Sequence, residues 1–118
     1  MEHQKDIVIE GESTSGDELL ARVRAIRPDV AVFDIRMPGM PGLNVIKHIQ
    51  EEAPDTKIVI FTLQDQDAYV HKALTAGVLG YVLKTSPPEE LVSAVRAAHG
   101  GTYYLCSKAN LHVLRRAL

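Results

Sequence analysis

The sequence predicts an α/β fold built on an open parallel sheet, and three observations carry that prediction. Four short runs rich in β-branched residues, IVIE at 7–10, VAVFD at 30–34, KIVIFT at 57–62 and VLGYVL at 78–83, are near-continuous in apolar residues instead of alternating. That is the pattern of strands buried on both faces. Segments of helical periodicity separate the runs. Strand and helix at this spacing imply right-handed crossovers, with helices packed against the sheet.

The helical segments follow in order. Leu19, Leu20, Val23 and Ile26 share a face after an Asp17 cap, and Arg27-Pro28 closes the segment because the residue before a proline disfavours the α region. Leu43, Ile46 and Ile49 mark a second apolar face, stopped by Pro54. Tyr69, Val70, Ala73, Leu74 and Ala76 mark a third, with Gly77 at the position where helices favour glycine. A fourth opens at Pro87-Pro88, where a missing N–H costs little, is expected to bury Leu91, Val92, Val95 and Ala98, and ends at Gly100-Gly101. The last stretch, SKANLHVLRRAL, carries Leu111, Leu114 and Leu118 on one face and predicts a short terminal helix.

Length and composition bound the function. A chain of 118 residues is one domain, large enough for a real core. Thirteen basic residues against fifteen acidic ones give a formal charge of −2, which argues against direct nucleic-acid binding by this chain. No apolar run has the length of a membrane span, and MEHQKD is too polar to begin a signal peptide, so the expected location is cytoplasmic. The single Cys106 cannot form an internal disulfide, and no CxxC pair offers a zinc site. His3, His48, His71, His99 and His112 are scattered, without HExxH or another ligand spacing. GxxxxGK[ST], GxGxxG and GxSxG motifs are all absent. Arg115-Arg116 is a small cluster of the kind a helix C-terminus favours.

What stands out is FDIRMPGMPG at 33–42, an acid at a strand end followed by a loop with two prolines and two glycines. In open α/β sheets the functional crevice lies beyond the carboxyl ends of the strands. Asp34, Thr62 and Lys84 occupy or follow those ends on three successive strands. Each alone reads as a cap or a solvated side chain. Together they are a carboxylate nucleophile, a hydroxyl to hold a phosphoryl oxygen and an ammonium to neutralise its charge, the parts that aspartyl phosphorylation requires.

The runs RPDVAVFDIRMPGMPGLNVI and AGVLGYVLKTSPPEELVSAVRAAHGGTYYL resemble the receiver domain of two-component response regulators. Within that family the chain looks most like the subfamily that carries a LuxR-type helix-turn-helix output domain. The resemblance runs from about residue 8 across nearly the whole chain. It implies a flavodoxin-like (CheY-like) sheet with helices on both faces, and a signalling module rather than an enzyme. It further implies that Asp34 is the phosphoacceptor, Thr62 the switch hydroxyl, Tyr81 an aromatic that changes rotamer on activation, and Lys84 the phosphoryl charge partner. Mg²⁺ is the implied cofactor, with Asp34 and the backbone carbonyl of Arg36 among its ligands. The implied partner is a histidine kinase or a small phosphodonor.

One departure matters. Receiver domains begin with a central strand ending in an acidic pair, followed by a first helix, and neither is found here. Glu10 or Glu12 could stand in, but they lie one βα unit before Asp34 where two normally intervene. The family strand order 2-1-3-4-5 would lose its centre, so residues 7–10 are expected to slide beside residues 30–34. One sheet face, carrying only the fourth helix, would then be under-covered. The terminal segment or a second copy in a docked or swapped homodimer would cover it. The expected organisation is a receiver-like domain over 1–106, then 107–118 as a terminal helix or the start of a linker to an output domain. The alternative function is a degenerate receiver-like module that dimerises without being phosphorylated.

Overall fold

The computed structural model describes residues 15–106 and the backbone of residues 7–9. Glu10, Glu12 and the expected terminal helix at 107–118 lie outside the described residues. Five parallel strands, β1 (Ile7–Ile9), β2 (Val30–Phe33), β3 (Lys57–Thr62), β4 (Gly80–Leu83) and β5 (Tyr104–Leu105), form one sheet in the order β1-β2-β3-β4-β5. Four helices alternate with them: α1 (Gly16–Ile26), α2 (Gly42–Glu52), α3 (Asp67–Ala76) and α4 (Pro88–His99). Ile7 pairs with Val30 and Ile9 with Val32, so β1 lies directly beside β2, as the expected slide requires.

Local chemistry sets the element ends. The N-cap of α1 is Ser15, not Asp17. Its hydroxyl accepts the Glu18 N–H at 3.1 Å while the Glu18 carboxylate accepts the Ser15 N–H, a reciprocal capping box. Asp17 sits in the first turn, where its charge complements the helix dipole. Gly77 ends α3 at φ 104°, a left-handed conformation that favours glycine. Pro88 opens α4, where its missing N–H would have no helical partner in any case.

The core fills both sides of the sheet. All four residues of β2 and of β4 are buried, and β3 is buried at four of its six positions. Helices α1, α2 and α3 pack side by side against one face, while α4 lies across β2, β3, β4 and β5 on the other. Because β5 continues the sheet in the same direction with α4 on the opposite face, this last crossover has the opposite hand to the first three. β5 itself was not foreseen, since a two-residue strand carries no periodicity to read.

The under-covered face is also smaller than expected, because α4 spans four strands and leaves no bare surface over β2 or β4. On α4 the burial is uneven. Ala94 and Ala98 are the residues it buries fully, Leu91 and Val95 are half-buried, and Val92 is 49% exposed, against the expectation that it would be buried. Small residues make the tight contact because they let the helix axis approach the sheet. No helix among the described residues is long and apolar enough to cross a membrane.

Candidate functional site

The parallel register carries three strand ends to one edge. Leu83 pairs with Thr62, and the Lys84 N–H donates to the Thr62 carbonyl at 2.8 Å. Phe33 pairs with Ile60, which sets Asp34 beside the end of β3. Asp34 is only 5% exposed and Thr62 is fully buried. A carboxylate so enclosed needs compensating donors, and it has three. Thr62 Oγ1 donates to Asp34 Oδ1 at 2.6 Å, the Arg36 N–H donates to the same oxygen at 2.9 Å, and Lys84 Nζ lies 3.0 Å from Oδ2. The Lys84 ammonium also stands 5.8 Å from the centre of the Phe61 ring, within the range of cation–π attraction.

The loop after Asp34 is held as its composition suggests. Ile35 and Met37 turn into the core. The Gly42 N–H donates to the Ile35 carbonyl at 3.2 Å, and a Cβ on Gly42 would collide with the Ile35 backbone. Gly39 takes φ 78°, and the Gly16 N–H reaches across from α1 to the Pro38 carbonyl at 3.2 Å. The loop is therefore closed on both sides, by α2 and by α1.

Tyr81 is fully buried on β4, and its hydroxyl donates to the Gln64 carbonyl at 2.6 Å. Gln64 in turn donates its N–H to Thr62 Oγ1 at 3.2 Å. A continuous chain of hydrogen bonds thus runs Tyr81, Gln64, Thr62, Asp34. Burial, with the Asp34 charge adding to it, pushes the Tyr81 hydroxyl well above the usual tyrosine range, so it remains a donor. Gln64 could not be found from sequence, because it contributes only backbone atoms. Phe61 was passed over as an ordinary strand residue.

Asp34, Thr62, Lys84 and Tyr81 are therefore brought together. Arg36 meets Asp34 through its N–H, in the manner of an Asx turn. Of the side chains expected to hold Mg²⁺, Asp34 alone lies among the described residues, since Glu10 and Glu12 fall outside them. Mg²⁺ takes about six oxygens in near-octahedral order, whereas no group of three His, Cys, Asp or Glu side chains able to hold a metal occurs among the described residues.

The family model described as the response regulator receiver domain matches residues 1–96. The chain is 41% identical over 98 residues to the uncharacterized transcriptional regulatory protein YxjL of Bacillus subtilis, covering 83% of this chain and 45% of that protein. It is 38% identical over 109 residues to the oxygen regulatory protein NreC of Staphylococcus epidermidis, covering 92% of this chain and 50% of that protein. The chain thus spans about half the length of these curated relatives. Among solved structures, a LuxR-family two-component response regulator from Aurantimonas sp. superposes with TM-score 0.83 at 31% identity, covering 88% of this chain and 74% of that one. A match over this much of the sequence makes the chain a member of the response regulator receiver domain family.

Proposed function

We propose that the domain accepts a phosphoryl group on Asp34 and passes its arrival to the surface around α3 and β4. The observation that carries this reading is the convergence of Thr62 and Lys84 on a single enclosed carboxylate. In the transfer, an Asp34 carboxylate oxygen forms a bond to phosphorus as the donor's P–N or P–O bond breaks, leaving histidine or a carboxylate such as acetate. Lys84 would neutralise part of the added charge of about −1.5 to −2, and Thr62 would turn its hydroxyl from the carboxylate to a phosphoryl oxygen. Tyr81, tied to Thr62 through Gln64, would register the change on the α3 side of the sheet. The phosphoryl source is a histidine kinase or a small acyl phosphate. A second copy of this chain meeting the first across α4 is the partner reading, supported by the exposure of Val92.

A second reading has an observation of its own. Asp34 already has three donors, one of them a cation, and the described residues lack a metal cluster. A degenerate receiver that keeps the fold for protein contacts alone would look the same. Incubation with acetyl phosphate, with and without Mg²⁺, followed by intact-mass measurement separates the two, with Asp34→Asn as control. An adduct on the parent and none on the variant is the expected result. No adduct from a folded parent sample would leave the degenerate module standing.

A further inference from the structure

A recess of the described surface lies away from Asp34. It is a groove of about 630 Å³ between α2 and α3. Leu43 and Ala76 form apolar parts of its wall, with Lys47 on α2 and Lys72 on α3 at its sides. Its size falls within the range of small-molecule sites, and such sites combine an apolar surface with a few polar groups that fix orientation. No aspartate or glutamate lines it.

Three features single it out. Lys47 and Lys72 are exposed and make no ion pair or hydrogen bond among the described residues, so two cations face the groove without an anion. His71, which also lines the groove, has a buried Nε2 with no hydrogen-bond partner among the described residues. The Gln50 side chain at the same wall donates to the Ala76 carbonyl, which ties the C-terminal half of α2 to the end of α3.

We propose that this groove binds a small organic anion with an apolar body, the body against Leu43 and Ala76 and the anionic group on Lys47 and Lys72. The chemistry that selects such a ligand is the joint presence of apolar wall and unneutralised ammonium. A neutral apolar molecule would leave the lysines unused, and inorganic phosphate would leave the wall wet. The groove lies apart from the carboxylate itself, since none of its lining residues is a hydrogen-bond or ion-pair partner of Asp34.

The test uses the full chain carrying Asp34→Asn, so that phosphorylation cannot enter, and follows backbone amide shifts by NMR. The probe is 2-naphthoate, with neutral 2-naphthamide for comparison. Saturable shifts confined to residues 43–50 and 71–76 are expected with naphthoate. Binding of the naphthamide, and binding of naphthoate to a Lys47→Gln/Lys72→Gln protein, should each be weaker by about ten-fold, the worth of one charge-assisted hydrogen bond. Both lysines are exposed, so the double variant should keep the dispersed spectrum of a folded domain. Shifts spread over other faces, equal affinity for the neutral amide, or unchanged affinity in the double variant would each overturn the proposal. A poly-glutamate peptide that shifts these amides while naphthoate does not would make the groove a protein-docking surface and overturn it as well.

Discussion

Thr62 gives its one hydroxyl proton to Asp34 at 2.6 Å and accepts the Gln64 N–H on its oxygen, so a single buried hydroxyl joins the carboxylate to the loop that leads into α3. Thr62→Ala should cost about 1–3 kcal/mol in urea unfolding, the usual penalty for leaving a buried polar group short of a partner. Labelling of Asp34 should persist in the variant, while amide shifts at Gln64 and Tyr81 should no longer follow it. Switching equal to that of the parent would remove Thr62 from the mechanism.

The hydroxyl of Tyr81 has a narrower role than its ring. The ring is fully buried and packs the core, whereas the hydroxyl serves one bond to the Gln64 carbonyl. Tyr81→Phe keeps the packing and should therefore lose only about 1 kcal/mol, while Tyr81→Ala should lose about 3–5 kcal/mol. A phenylalanine variant as unstable as the alanine one would show that the hydrogen bond, not the ring, holds the strand.

Lys84 and Asp34 should behave as a coupled pair. Asp34 has a side chain only 8% exposed and Lys84 one 20% exposed, so removing the ammonium leaves a largely buried carboxylate with two neutral donors. Lys84→Met should cost about 2–4 kcal/mol, and much of that loss should vanish when Asp34→Asn is added, because the uncompensated charge goes with it. Additive losses in the double variant would mean that the pair is not coupled and that Lys84 acts through its packing on Phe61.

How much of this was legible in the sequence depended on which atoms carry the information. Strands β2, β3 and β4 announced themselves because burial on both faces forces an apolar residue at nearly every position. Asp34, Thr62 and Lys84 could be grouped because parallel strands put their C-terminal ends at one edge. β5 was invisible, since two residues held by backbone bonds at an edge need no particular side chains. Gln64 was invisible for the same reason, as both its links are made by the main chain. The fourth helix shows the opposite error. Leu91, Val92, Val95 and Ala98 were expected to face inward, but only Ala98 of these is fully buried, Ala94 takes the other tight position and Val92 turns outward.

The two glycines of the loop after Asp34 should fail in different ways. Gly42 needs space, because an added Cβ would overlap the Ile35 backbone at the entry to α2. Gly39 needs conformation, with φ 78° and only ordinary contacts around an added Cβ. Gly42→Ala should therefore cost more, about 1–3 kcal/mol through displaced backbone, than Gly39→Ala, about 1 kcal/mol through left-handed strain. Thermal unfolding of the two variants gives the order directly. A reversed order would mean that the loop relaxes around Gly42 and is not fixed by its bond to Ile35.

The last prediction concerns pH and lies away from the site, where α1 meets α2. Glu52 accepts two hydrogen bonds from the Arg24 guanidinium and one contact from His48, while the Arg27 guanidinium holds the Glu52 carbonyl at 2.8 Å. Arg24 holds the Glu52 carboxyl down at about 2, from an ordinary value of 4.5. A depressed carboxylate contributes stability above its unfolded value and loses it as pH falls towards the folded one. The difference in melting temperature between parent and Glu52→Gln should therefore be full near neutral pH, shrink from about pH 4.5 downward, and be lost as pH falls through about 2. Both side chains are substantially exposed, so added salt should narrow the difference at neutral pH too. A difference that widened on acidification would have the wrong sign for this pair, and would remove the Arg24–Glu52 ion pair as its source.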